Sequence, residues 1–120
     1  MTLLDQIGGK DAVDAAVDAF YVRVLADDRV NGFFDIDMDK QAAKQKRFLV
    51  AFLGGTAQDP EGYMRAAHKK LVAEDGLNDS HFDAIAEHLQ ATLVSFGVEG
   101  DLLDQIMGGV GSLRDATLDR

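Results

Sequence analysis

The stretch Tyr63-Met64-Arg65-Ala66-Ala67-His68-Lys69-Lys70-Leu71-Val72 decides how this chain is read. At helical spacing Met64, His68, Leu71 and Val72 share one side, while Arg65, Lys69 and Lys70 point elsewhere. A histidine in the middle of an apolar helical face needs a partner for its ring nitrogens. A backbone group is one such partner and a metal is another. What faces His68 decides between them.

Working outward, glycine clusters punctuate the chain at Gly8-Gly9, Gly54-Gly55, Gly76, Gly97 with Gly100, and Gly108-Gly109 with Gly111. Between them the pattern is helical. A helix over 11–26 aligns Val13, Val17, Phe20, Tyr21, Val24 and Leu25 on one side. A second is expected over 38–53, capped by Asp37 or Asp39. The His68 helix is expected over 64–75, ending near Gly76. Asn78 or Asp79 caps the next, whose stripe is Phe82, Ile85, Ala86, Leu89, Leu93 and Phe96. A last helix, weakened by its glycines, runs from about Glu99 to Leu118. No strand alternation is visible, and the only proline is Pro60, so the expected class is all-α.

With 120 residues, 47% of them apolar, the chain is expected to form a single domain, 1–120, with a real core. Twelve Lys and Arg against 21 acids leave a net charge of −9, which disfavours nucleic acid or an anionic membrane surface as partners. The absence of cysteine removes disulfides, thiolate metal sites and thiol nucleophiles. Any metal must be held by His, carboxylate, Lys or Tyr, or arrive inside a cofactor. Asp5 comes too early for a signal peptide and no apolar run approaches a membrane span, so a cytoplasmic location is expected. His81 and His88 are read as surface residues and make a weak metal signal. No Ser-His-Asp, P-loop or dinucleotide pattern is present.

Two faces break the apolar pattern. Phe48, Leu49 and Phe52 mark the buried side of the 38–53 helix, yet stepping back along it gives Gln45, Lys44 and Gln41. Unsatisfied buried polar groups cost about 1–3 kcal/mol each. Either the helix emerges into solvent there, or it lines a cavity holding something polar. Tyr21 lies on the buried face of its own helix, and its hydroxyl needs either a backbone carbonyl or a ligand. A buried His, a wall of Tyr, Gln and Gln, and the aromatic pair Phe33-Phe34 together resemble a haem pocket.

These residues resemble the group I truncated haemoglobins, short globins with a two-over-two helical sandwich, over nearly the whole chain. Leu3-Leu4-Asp5-Gln6-Ile7-Gly8-Gly9 matches the family's first short helix and Gly-Gly turn. Phe20-Tyr21 matches its Phe-Tyr pair, whose tyrosine contacts bound oxygen, and Phe33-Phe34 its aromatic pair on the haem edge. Gln41, Lys44 and Gln45 fall on distal positions, Gly54-Gly55 on the second Gly-Gly turn, and Tyr63 to His68 on the segment ending in the proximal iron ligand.

The resemblance implies a b-type haem held by His68, with Phe33, Phe34, Lys44, Phe48, Tyr63 and Met64 around it. It also implies reversible binding of O2, CO and NO, with Tyr21 as main donor to the ligand, helped by Gln41 and Gln45. Phe48, Leu49, Phe52 and Val17 are expected to line a path for a small neutral gas. Some cyanobacterial and algal members carry a histidine where this chain has Lys44, and it serves as a sixth iron ligand. Lys44 here has three readings: a partner for a haem propionate, an iron ligand, or a solvated lysine. Cyanobacterial members can also link haem covalently through a histidine near the C-terminus. Gly111-Ser112-Leu113-Arg114-Asp115 offers none, so non-covalent haem is expected.

Two classes of function follow. One is a nitric oxide dioxygenase that takes electrons from an external reductase, since no flavin or nicotinamide motif is present. The other is a protein that stores, scavenges or senses O2 or NO, or transfers electrons, without steady turnover. A monomer is expected in either case. A haem-free helical interaction module is a third, more distant reading.

Overall fold

Most helices begin where the sequence supplies a cap. The computed structural model describes all 120 residues as helices, one 3-10 turn and loops, with no strand. Thr2 and Asp5 form a reciprocal capping box that opens α1 (Leu3–Ile7). Gly8, at φ 112°, turns the chain left-handed into α2 (Gly9–Leu25), a conformation that favours glycine. Asn31–Phe34 is the 3-10 turn. Asp37 caps α3 (Met38–Leu53), accepting from the Asp39 and Lys40 N–H groups. Asp59 caps α4 (Pro60–Asp75), and Gly76 closes it at φ 72°. Asn78 caps α5 (Asp79–Ser95), and α6 (Gly100–Gly111) and α7 (Arg114–Thr117) follow.

Three expectations need correction. The His68 helix starts at Pro60 and not at 64: proline suits a first helical turn, where its missing N–H has no partner to lose. The last helix is two helices, broken around Ser112 and Leu113. There the Ser112 hydroxyl donates to the Gly109 carbonyl in a glycine-rich turn, and Leu113 turns into the core. Leu25 and Phe96 leave their stripes and are 41% and 50% exposed, because both sit where a helix runs past its packing partners.

The core forms where α2 lies on both α3 and α5. Val13, Val17, Phe20, Tyr21 and Val24 of α2 meet Leu49 and Leu53 of α3, Ala84 and Leu93 of α5, and Ile106 of α6. Each such aliphatic or aromatic side chain contributes about 1.5–3 kcal/mol when fully buried. With α6 paired to α5, the layers are two helices over two, and α1 braces one end against α2, α3 and α6. α4 stands apart: it has no buried residue and rests mainly on α7. The fold therefore leaves a gap between α4 and the layered body.

His88 is not a free surface residue. Its Nε2 lies 2.6 Å from Asp27 Oδ2, and the two side chains are only 19% and 13% exposed. Arg29 adds bonds to Asp27 and Glu87, tying the turn after α2 to α5.

Candidate functional site

The gap beneath α4 is a cavity of about 990 Å³, at the upper end of the ~300–1,000 Å³ found for small-molecule and cofactor sites. The residues expected to surround a cofactor line it: Tyr21, Phe33, Phe34, Gln41, Lys44, Gln45, Phe48, Tyr63, Met64 and His68; Val17, expected on a gas path, does not. The face of α4 read as core is half-buried because it looks into this cavity and not onto another helix.

His68 Nδ1 lies 2.7 Å from the Met64 carbonyl oxygen. A carbonyl only accepts, so Nδ1 carries the ring proton and Nε2 keeps a free lone pair. Burial pushes the His68 pKa below the ordinary histidine value, partly offset by the Met64 bond. The ring is thus a neutral, oriented base, the form that binds a metal. Of the two readings of His68 left open by the sequence, the backbone one is met at Nδ1, and Nε2 is left without a partner.

Tyr21 is 6% exposed, and its hydroxyl oxygen accepts a bond from Gln41 Nε2 at 3.1 Å. The phenol proton remains free to donate. Burial raises the Tyr21 pKa, and the Gln41 bond opposes that only in part, so the phenol stays protonated. Phe20 and Phe34 fix the ring, with centroids 5.1 and 5.7 Å away. Gln45 is half-buried a turn beyond Gln41, and Lys44 is exposed at the rim with Arg47. The polar half of α3 is therefore a cavity wall, not a helix leaving the fold.

Flat apolar surfaces complete the lining. Phe48 stacks on Tyr63 at 5.0 Å and on Phe52 at 5.5 Å, each within 11° of parallel. α6 passes close behind this stack, where a Cβ on Gly109 would lie 3.3 Å from Phe52 Cε2. Behind Phe20 and Leu49, which line the large cavity too, lies a second, wholly apolar space of about 20 Å³ bounded also by Val17. It has room for roughly one small molecule.

Among the wall residues that sequence reasoning missed are His81, Arg47 and Thr117. His81 was read as surface, but its Nδ1 accepts from the Asn78 N–H and its ring meets Phe33 edge-on at 4.9 Å. The Asn-x-x-His spacing at a helix start was the available signal. Arg47 follows Lys44 by three residues on α3, a spacing that places both on one flank. Thr117 is 5% exposed, and its hydroxyl has no partner within the protein.

The donor set fits an iron tetrapyrrole: one free imidazole nitrogen, cations at the rim for acidic side arms, flat aromatic faces, and a separate phenol proton for an iron ligand. No group of three or more His, Cys, Asp or Glu residues is placed to hold a bare ion.

Residues 2–119 match the family described as bacterial-like globin. The group 1 truncated haemoglobin GlbN of Synechocystis is 53% identical over 92% of this chain and 90% of that protein. The 2/2 haemoglobin of Synechococcus sp. PCC 7002, solved in the cyanomet state with covalently attached haem, superposes with a TM-score of 0.93 over 100% of both chains at 48% identity. The Fe(III) truncated haemoglobin of Tetrahymena pyriformis superposes with a TM-score of 0.86 over 98% of both chains at 39% identity.

Proposed function

We propose a detailed function for this chain, which belongs to the bacterial-like globin family and, within it, to the group 1 truncated haemoglobins. As a member it is a haem globin that binds small gas ligands such as O2. The finer reading is a non-covalent b-type haem that His68 would hold by its iron, with Tyr21, Gln41 and Gln45 as the polar wall of the same cavity. Phe33, Phe34, Phe48, Tyr63 and Met64 would pack on the macrocycle, and Lys44 with Arg47 would meet its propionates.

The observation that carries this reading is the direction of two hydrogen bonds in one cavity. His68 gives its proton to Met64 and keeps Nε2 free, while Tyr21 receives from Gln41 and keeps its own proton free. One group is thereby set to bind a metal and the other to donate to whatever gas the metal holds. Haem held by His68 would supply the iron chemistry for O2 uptake and, given one electron from an external reductase, for the overall conversion NO + O2 + e− → NO3−. Tyr21 stabilises negative charge that develops on the gas, and the low-dielectric wall strengthens that bond. Gln41 fixes the direction of the phenol, and Gln45 stands a turn away as a second donor. The apolar space behind Phe20 and Leu49 holds no polar group to retain water, which suits storage or passage of O2, NO or CO.

Lys44 as a sixth iron ligand is the second reading, favoured by its place on the same flank of α3 as Gln41, Gln45 and Phe48. Its exposure supports the propionate role over it, since an exposed ammonium stays hydrated.

Mixing the haem-loaded, O2-saturated ferrous protein with NO tests the enzymatic reading. The expected result is one nitrate per haem with rapid return to Fe(III), repeated many times when a reductase is added. Slow ligand exchange with no nitrate would overturn dioxygenation and leave a storage or sensing protein.

A further inference from the structure

We infer that an arginine clasp formed by Arg65, Arg114 and Arg120 positions the helix of His68 and so sets how firmly the cofactor is retained. The inference rests on His68 being the iron ligand. α4 has no buried residue and packs mainly on α7, so the body of the fold holds it only indirectly. Arg65, three residues before His68, reaches off α4 to Asp119 at 3.4 Å and donates to the Arg120 carbonyl at 2.8 Å. Asp119 sits at φ 58°, a left-handed conformation that Asp tolerates without preferring, and from there its carboxylate meets Arg65.

The clasp then continues into α5. Arg120 donates to Asp79 at 2.8 and 3.1 Å and to Asp115 at 2.9 Å. Arg114 donates to Asp79 at 3.1 Å and to Asp83. Its guanidinium also lies 4.6 Å above the ring of Phe82, a buried residue of the cavity wall. The Asp79 carboxyl is held below the usual carboxylate range by Arg120 first and Arg114 second. Guanidinium suits this role because its planar fork serves two carboxylates in fixed directions. Through these bonds α4 is referred to the first turn of α5, and both helices line the cavity. Arg65 is thus a positioning residue, acting through the attitude of α4.

These pairs are exposed, and single exposed pairs contribute little; the effect belongs to the network and is sensitive to salt. The experiment is haem transfer from the ferric protein to excess apomyoglobin in low and high NaCl. Three variants are compared with the native chain: Arg65→Met, Arg65→Lys and Lys70→Met. Lys70→Met is the control, since it removes the same charge from α4 but breaks only a local pair with Glu74. Arg65→Met is expected to lose haem about three- to tenfold faster at low salt. Its excess over the native rate should shrink towards unity near 1 M salt, where the screening length is about 3 Å. Arg65→Lys should recover part of the loss and Lys70→Met none of the effect. The iron–histidine stretching band of the ferrous, ligand-free protein should shift in Arg65→Met alone. An Arg65→Met rate equal to that of Lys70→Met at every salt concentration overturns the clasp while leaving the iron ligand untouched. A His68→Ala protein with unchanged haem spectrum and retention overturns the underlying assignment instead.

Discussion

Gln41 Nε2 donates to the Tyr21 hydroxyl oxygen, and that direction matters more than the 3.1 Å separation. Had Gln41 offered its carbonyl, the phenol proton would be spent within the wall. As built, Tyr21 keeps its proton free, and burial keeps the phenol protonated through neutral pH. A hydrogen bond to a charged group contributes about 1.5–3 kcal/mol, which is about ten- to a hundredfold in a dissociation constant. Tyr21→Phe keeps the ring among Phe20 and Phe34 and removes only that proton. Its O2 dissociation, followed by rapid mixing of the ferrous complex with a competing ligand, should accelerate by about that factor. An unchanged rate would move the donor role to Gln45. At this scale the sequence was informative: a tyrosine and two glutamines on faces that should be apolar are costly unless something polar faces them. It could not assign direction to a single bond, because that depends on which amide end points inward.

Among the elements, the turn after α2 is locked to α5 by charge. Asp27 accepts from Arg29 and from His88, and its carboxyl is pushed well below the ordinary range, first by the Arg29 side chain and then by His88. A depressed carboxyl stabilises the fold above its unfolded pKa, about 3.9, and that contribution disappears as pH falls through the lower folded value. Native protein should therefore lose stability steeply on acidification below about pH 4. Asp27→Asn should start less stable at pH 6 and show a shallower loss between pH 4 and 3, read as urea midpoints. Parallel slopes for the two proteins would contradict this. Helix positions were legible from stripes and caps, as in Asp37 and Asn78. The Asp27–His88 pair was not, since 61 residues separate its members and no local spacing joins them. The same limit hid the break at Ser112: glycines announce weakness, but only the inward turn of Leu113 decides where the helix ends.

For the molecule as a whole, the two-over-two body forms a complete core without α4. The wall bearing His68 is left to be held by α7 and by the bonds of Arg65 to Asp119 and Arg120. No helix is long and apolar enough to cross a membrane, and the chain carries a net charge of −9. The fold class and the cavity residues could be read from the sequence because a cavity with polar walls violates the ordinary rule of apolar faces at several positions at once. The separate standing of α4 could not, because its apolar face looks like any core stripe until one asks what lies opposite.

The central claim is that His68 Nε2 holds the iron of a haem in this cavity. The most direct measurement is the absorption spectrum of the ferric and ferrous protein after haemin reconstitution, beside His68→Ala prepared in the same way. The account predicts an intense Soret band with histidine-ligated ferrous features in the native chain, and their loss in His68→Ala. A native chain that stays colourless, or a His68→Ala spectrum identical to the native one, would contradict it.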